Sequence, residues 1–556
     1  MELTLRALLA ESVSRYAGRV ALARVDGQSM TYAEVGGQVR LVSRLLHDQG
    51  VVAGDRVAIL GENMPEWGIA YFAVTTMGAI AVPILADFHP TEIRNIIARS
   101  GARLLIVSER LYPKVDEAEN LPPLLLMDDF SVIPPATKKD RLKSVIEGGR
   151  RAFLRIKEAV FGIAGVEGTA VKEDDVAAIV FTSGTTGWSK GVILTHRNIV
   201  ADAIATTKII DIGPRSRMLS ILPLAHTYEC TLGLVTPLLA GASVHYVDKP
   251  PTAAVLMPAL ASVRPTIMLA VPLVIEKIYK TRILPKIAGS FLMRRAYKIP
   301  FLRKWINRSA GKKLLAFFGG ELKSLCIGGA ALAPDVEHFL REARFPYAVG
   351  YGLTETSPLA TGIQASGQRY LSCGPVLPGV SVRIDAPDPV TGVGEIQIKG
   401  PTVMKGYYND PERTRDVFTD DGWFKSGDLG SFDKEGYLYI KGRLKNMILG
   451  PSGENIYPEE IESVINESPL VLESLVYADG GQVTARVYLN HEELDRQFGG
   501  KLPEAKAREK VAAILEGIRR DVNARVSGFS RIVRIREQAE PFEKTPTQKI
   551  KRNLYQ

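Results

Sequence analysis

Apolar and polar positions along this chain fall in blocks rather than in a single running pattern. Short runs rich in Val, Ile and Ala, closed by Gly, Pro or Asp, alternate with longer stretches of helical spacing through the first part. Residues 56–60 (RVAIL), 177–181 (AAIVF) and 242–247 (ASVHYV) are such runs. Continuous apolar runs suit strands buried on both faces of a sheet covered by helices, which predicts an α/β class. The first residues carry Glu2, Arg6 and Glu11 among apolar positions. They predict an amphipathic helix, not a secretory leader with its uninterrupted apolar core. Residues 69–86 (IAYFAVTTMGAIAVPILA) are long enough to raise the question of a membrane span. Gly78 and Pro83 interrupt them, and a helix followed by a buried strand is expected instead.

From about residue 380 the texture changes to hairpin punctuation, at Thr391-Gly392, Asp421-Gly422 and Glu435-Gly436. A β-rich subdomain over about 380–442 is expected to close a large N-terminal domain, 1–442. After Gly442-Arg443 the chain reads as a smaller α+β unit, 447–556, so the preferred cut lies at 443–446. At 556 residues the chain is too long for one ordinary domain.

Composition narrows the class. The hydrophobic fraction is 46% and the charged fraction 24%, which excludes a disordered chain. Cys230, Cys326 and Cys373 lie far apart without a CxxC pair, so neither a disulfide framework nor a thiolate zinc site is expected. A reducing, cytoplasmic setting fits that usage.

Charge changes the picture at one place. The net charge is +9, yet residues 277–313 alone hold twelve Lys and Arg and no Asp or Glu. Phe291, Leu292, Tyr297, Phe301, Leu302 and Trp305 interleave with them. Such a segment suits the surface of an anionic bilayer, and also nucleic acid or a solvated helix pair. Peripheral membrane association is the preferred partner reading and no nucleic acid is expected. A homodimer is left open. A second basic run spans 138–157.

The chemistry begins at residues 182–191 (TSGTTGWSKG), which follow the 177–181 strand. Small residues let backbone N–H groups approach an anion. The hydroxyls of Thr182, Ser183, Thr185 and Thr186 add donors beside Gly184 and Gly187, and Lys190 adds charge. The segment does not fit GxxxxGK[ST], because Ser189 stands where the second glycine belongs.

This loop resembles the phosphate loop of the adenylate-forming superfamily, which includes acyl-CoA synthetases, luciferases and peptide-synthetase adenylation domains. That family usually has proline before the lysine, where this chain has Ser189. Further segments resemble the family in the expected order, over nearly the whole chain. Residues 222–229 (LPLAHTYE) resemble the acyl-pocket and CoA-channel segment, which implies a lining role for His226. Gly328, Gly329 and Ala330 resemble the turn that packs on adenine. Residues 350–355 (GYGLTE) imply Gly350, Tyr351 and Gly352 at the nucleotide, Thr354 near the α-phosphate, and Glu355 holding Mg²⁺ with the Thr185 hydroxyl. Asp428, in 423–430, resembles the ribose-binding turn, where a carboxylate accepts from two adjacent hydroxyls. Arg443 is implied to reach the nucleotide, and Lys445 marks the hinge, 443–446, of a mobile C-terminal domain. Gly453 resembles the glycine that lets pantetheine pass. Lys549, in 543–552 (EKTPTQKIKR), resembles the catalytic lysine. Gln548 precedes it where the family often has glycine, and Lys544 and Lys551 are its neighbours.

The resemblance implies an enzyme using ATP and Mg²⁺ to activate a carboxylate as acyl-AMP, with coenzyme A as co-substrate. The basic aromatic insert and the KTPTQK ending look most like long-chain fatty acyl-CoA synthetases. The alternatives are a fatty acyl-AMP ligase serving an acyl carrier protein, and a medium-chain or aryl acid CoA ligase. A membrane-bound scaffold with a dead pocket is disfavoured, since Lys190, Glu355, Asp428, Arg443 and Lys549 are all present.

Overall fold

The computed structural model describes residues 2–25, 27–116, 121–133, 170–182, 189–247, 252–450, 454–498, 504–545 and 549–555. The predicted apolar runs are strands of two large sheets. One sheet has eight strands among the described residues. Its centre is parallel, running Val176–Thr182, Ile80–Ile84, Arg56–Leu60, Leu104–Val107 and Leu124–Leu126. Antiparallel strands flank it, Lys190–Thr195 and Gly406–Tyr407 on one side and Val132–Ile133 on the other. The second sheet has seven strands, in the order Tyr347–Val349, Ser324–Ile327, Ile267–Ala270, Arg217–Ser220, Ser243–Tyr246, Val20–Arg24 and Ser29–Thr31. Only its last pairing is antiparallel.

Helices fill the space between these layers. The predicted N-terminal helix is Leu5–Tyr16, with Thr4 capping it through a hydrogen bond from the Ala7 N–H. Residues 69–86 divide as expected into the helix Pro65–Thr76 and the strand Ile80–Ile84. Gly78 makes the break, at φ +86°, while Pro83 lies inside the strand. That helix is apolar on every side because it is buried on every side, with Trp67, Tyr71 and Phe72 in the core. No helix among the described residues is long and apolar enough to cross a membrane.

Residues 328–330 and 350–352 follow the carboxyl ends of the neighbouring parallel strands Ser324–Ile327 and Tyr347–Val349. In open α/β sheets, ligand sites form outside those ends.

The punctuated region is an antiparallel four-stranded sheet, Ser381–Asp385, Gly394–Lys399, Phe424–Phe432 and Leu438–Arg443. Gly392 and Gly436 take positive φ between its strands, and Gly422 does so just before Phe424. Asp428 belongs to the nine-residue strand Phe424–Phe432 rather than to a turn. A register shift after Leu429 and a φ of +69° at Gly427 kink that strand locally. Beyond it, Ile448, Ile461, Ile465, Val476 and Leu489 belong to a core of their own. This core packs the sheet Val471–Asp479, Gln482–Leu489 and Arg534–Glu537 against the helices Pro458–Asn466 and Glu504–Asn523.

Candidate active site

The phosphate-loop segment closes a hairpin. Thr182 and Lys190 face each other at the ends of the antiparallel strands Val176–Thr182 and Lys190–Thr195. Ser183, Gly184, Thr185, Thr186 and Gly187 lie outside the described residues. So do Gly453 and the basic run 138–157. Ser189, which replaces the family's usual proline, donates from its hydroxyl to Glu92 at 2.9 Å. Its carbonyl accepts from Arg99 at 2.7 Å. The helix Pro90–Ser100 thus holds the loop's trailing end through two polar contacts that proline could supply only in part.

Lys190 points across to Glu355 in the turn Thr354–Thr356. The Lys190 ammonium meets the Glu355 carboxylate at 2.5 Å and donates to the Tyr407 hydroxyl at 2.8 Å. Tyr407 in turn donates to the same carboxylate oxygen at 2.9 Å, and its ring centroid lies 4.6 Å from the Lys190 nitrogen. Burial pushes the Glu355 carboxyl up. The Lys190 charge and the two donors outweigh that push, so its pKa lies below the ordinary value. Glu355 is therefore a buried, ionised carboxylate.

A second pair lies on the antiparallel sheet. Asp428 and Arg443 are cross-strand partners, with their side chains joined at 2.7 Å. Tyr351 donates its hydroxyl to the other Asp428 oxygen at 2.8 Å. Burial dominates at Asp428 and raises its pKa, although Arg443 and Tyr351 pull the other way. Gly352 must be glycine, since a Cβ there would stand 1.9 Å from the Pro358 carbonyl. Gly328 passes close to Tyr228, whose ring a Cβ would approach to 3.2 Å. Gly329 has φ +88°, and Ala330 follows it on the same turn. Gly350 leads from the strand Tyr347–Val349, and Thr354 opens the Glu355 turn.

Lys549 reaches these two pairs from the far end of the chain, close enough to feel the Arg443, Asp428 and Glu355 charges. A bridge between Lys544 and Ile550 and a hydrogen bond from the Thr545 N–H to the Lys549 carbonyl, 2.8 Å, shape its loop. Lys544 pairs with Glu473, and Arg552 pairs with Glu462 at 2.8 Å, tying that loop to the C-terminal core. Lys549 is exposed. Burial by the surrounding walls is still the first cause of its depressed pKa, followed by Arg443, against Asp428 and Glu355. Of its two neighbours, Lys544 is thus engaged elsewhere, and Lys551 pairs with Glu543 at 2.5 Å.

His226 caps the short helix Thr227–Glu229, its Nδ1 accepting from the Tyr228 N–H at 3.1 Å. Burial, then the Lys549 charge, push its pKa down to about 4, so it is neutral at pH 7. Lys445 sits in the turn Leu444–Asn446 with a pKa lowered by burial, then by Arg443, Lys190 and Arg552. Lys190, Arg443, Lys445 and Lys549 thus act on one another's neighbourhood, with Glu355 and Asp428 as counter-charges among the described residues. That surplus suits a polyanion such as a nucleoside triphosphate.

Two features of the site were not anticipated from sequence. Tyr407 carries no motif of its own; it arrives because Gly406–Tyr407 pairs with the strand that begins at Lys190. Glu229, three residues beyond His226, is fully buried on a hydrogen bond from Ser220 at 2.5 Å, and burial pushes its carboxyl up to about 8.

The residues also bear on Mg²⁺ and nucleotide. No cluster of three or more His, Cys, Asp or Glu is present among the described residues, so an all-protein metal cage does not fit. A single ionised Glu355 beside substrate phosphates does fit, because Mg²⁺ takes few protein oxygens and several from phosphate or water. The Thr182 hydroxyl is buried and without a hydrogen-bond partner, at the mouth of the phosphate-loop segment.

Converging cations beside the Asp428 carboxylate and glycine turns at strand ends suit a nucleotide-binding protein. The chain belongs to the family of AMP-binding enzymes, whose model matches residues 9–408. Among its relatives is the long-chain-fatty-acid–CoA ligase FadD15 of Mycobacterium bovis, 30% identical over 95% of this chain and 91% of that protein. The 4-coumarate–CoA ligase 2 of Oryza sativa is 28% identical over 84% of this chain and 79% of its own length. The structure superposes on ATP-bound MatB from Rhodopseudomonas palustris with a TM-score of 0.75 and 24% identity, covering 100% of this chain and 98% of the other. The fold is that of adenylate-forming enzymes.

Proposed function

We propose that this protein is an AMP-forming acid–CoA ligase whose substrate is a long-chain fatty acid. The observation that carries the reading is the convergence of Lys549 with the Lys190–Glu355 and Asp428–Arg443 pairs, whose Glu355, Asp428 and Arg443 charges act on it. The likeness to FadD15 supports the acyl class.

A carboxylate and ATP repel each other, so the site must offset that repulsion before they can react. Lys549, exposed beside the Arg443, Asp428 and Glu355 charges, can neutralise the entering carboxylate and an α-phosphate oxygen together. The carboxylate oxygen then attacks the α-phosphorus, the bond to the bridging oxygen breaks, and pyrophosphate leaves toward Lys190. Asp428 accepts from the ribose hydroxyls while Arg443 fixes its orientation. Mg²⁺ held by Glu355, with Thr185 as the assigned second ligand, would supply charge neutralisation on the phosphates. In the second step the CoA thiol gives its proton to water, its sulfur attacks the acyl carbonyl, and AMP departs with the former carboxylate oxygen. Neutral His226 lines the path without adding a second positive charge.

We place the N-terminal adenylation domain at 1–442, the hinge at 443–446 and the mobile domain at 447–556. Rotation about Lys445 would withdraw Lys549 and bring Gly453 to the thiol path. Association with an anionic bilayer through 277–313 would give access to acids that partition into membranes.

The test is acid-dependent ATP–pyrophosphate exchange across a chain-length series, with thioester formation measured on free CoA and on holo carrier protein. The proposal expects an optimum at long chains and acyl-CoA as product. An optimum at aryl or medium-chain acids, or thioester only on the carrier, would replace the substrate or the acceptor.

A further inference from the structure

Residues 277–313 fold almost wholly into helix, ending in Phe291–Tyr297 and Pro300–Phe317. The inner face of the longer helix is well used. Asn307, Gly311 and Leu314 are buried, and Arg303 forks onto Glu342 of the helix Pro334–Ala343 at 2.8 Å. Gly311 allows the two helices to touch, since a Cβ there would lie 2.5 Å from the Ala343 carbonyl.

The outer face is different. Phe301, Lys304, Trp305 and Arg308 follow one another at i, i+3, i+4 and i+7, one continuous stripe. Phe301 is 77% exposed and Trp305 67%. On the preceding helix Phe291 is 60% and Leu292 77% exposed, and Ile299 between the helices is 52% exposed. Exposed large apolar side chains concentrated on two successive helices mark an interaction surface. Beside it, Lys304 and Arg308 form one wall of an open cleft of about 410 Å³, and His338, Arg341 and Arg344 form the other. The one carboxylate lining it, Glu342, is already engaged by Arg303 and Asn307. Among the described residues, Lys304, Arg308 and Arg344 form no salt bridge.

We infer that this face docks on an anionic phospholipid bilayer, with Phe291, Leu292, Ile299, Phe301 and Trp305 entering the acyl boundary and a lipid phosphate seated in the Lys304–Arg308–Arg341–Arg344 cleft. The inference rests on, and deepens, the bilayer association in the functional reading. Three arguments select this occupant. A second copy in a two-fold contact would set the same cationic face against itself, which like charge opposes. Nucleic acid would reward the aromatic faces, but Leu292 and Ile299 have nothing to stack and gain only from hydrocarbon. A bilayer satisfies both halves of the surface, because aromatic and aliphatic tips enter while cations stay at the headgroups. The cleft sets Lys304, Arg308, Arg341 and Arg344 beside the apolar stripe that carries Phe301 and Trp305.

The test is sedimentation of the full chain with vesicles of phosphatidylcholine alone and with about one-third phosphatidylglycerol. Trp305 emission is read in parallel, against brominated acyl chains. Binding to the anionic vesicles is expected, with a blue shift and quenching that the variant Trp305→Phe lacks. Lys304→Gln with Arg308→Gln should weaken anionic binding about 30-fold, near one elementary charge's attraction for each residue. Phe301→Ser with Trp305→Ser should weaken it about tenfold or more and leave residual binding that salt removes. Each variant's urea unfolding midpoint, set beside that of the wild type, reports that it has folded. No binding by the wild type, undiminished binding by both double variants, or tighter binding to single-stranded nucleic acid would overturn the inference. The assay contains no ATP, acid or CoA, so a wrong assignment of the reaction would leave its outcome unchanged.

Discussion

Tyr407→Phe isolates the least anticipated group in the site. The substitution keeps the ring that lies 4.6 Å from the Lys190 nitrogen and removes only the hydroxyl. That hydroxyl accepts from Lys190 at 2.8 Å and donates to Glu355 at 2.9 Å, so both lost hydrogen bonds involve a charged partner. Hydrogen bonds to charged groups contribute about 1.5–3 kcal/mol each. Here one oxygen serves both, and Lys190 is partly hydrated, which brings the combined loss to about 1.5–3 kcal/mol. The direct Lys190–Glu355 contact survives, so the site should remain assembled. If the pair orients Lys190 toward pyrophosphate, the loss falls on adenylation, about 10- to 100-fold in kcat/KM for ATP. The assay is acid-dependent ATP–pyrophosphate exchange, paired with urea unfolding of the unliganded protein. Exchange within about twofold of wild type, with an unchanged unfolding midpoint, would refute the reasoning and reduce Tyr407 to packing.

Lys549→Ala should abolish exchange yet leave much of the thioester formation from preformed acyl-AMP and CoA; unchanged exchange would mean the wrong lysine was chosen. Glu229→Gln tests the buried carboxyl, whose pKa is pushed up to about 8 from an ordinary 4.5. Between those values the unfolded chain has lost the proton while the folded chain keeps it, so wild-type stability falls as pH rises. The Gln variant lacks that term and should gain on wild type by up to about 1.4 kcal/mol per pH unit, read by urea unfolding from about pH 5 to about pH 7.5. A pH-independent difference would contradict an uncharged Glu229. Ser189→Ala should lower stability by about 1 kcal/mol through the lost bond to Glu92, measured as a shift in unfolding midpoint. No shift would leave Ser189 without a structural role.

Much of the architecture was legible because local pattern and burial coincide. The apolar runs at 56–60, 177–181 and 242–247 are strands, and Gly78 ends the buried helix as its chain position suggested. The ordered motifs also led to Lys190, Glu355, Asp428, Arg443 and Lys549, whose side chains or charges meet in the fold. What local pattern could not supply was long-range pairing. Tyr407 joins Lys190 across 217 residues through an edge strand of two residues, too short to leave a periodic trace. Ser189 answers to Glu92, 97 residues away. The resemblance of 423–430 to a ribose-binding turn implies a turn at Asp428, whereas the residue lies in a strand kinked at Gly427 and Gly430.

The central claim is that the substrate carboxylate attacks the α-phosphorus of ATP. Fatty acid labelled with ¹⁸O in both carboxylate oxygens, turned over with ATP and CoA, tests it by mass spectrometry of the products. The account predicts one ¹⁸O in AMP, one in the thioester carbonyl, and none in pyrophosphate. Label in inorganic phosphate with ADP as co-product, or AMP free of label, would contradict it.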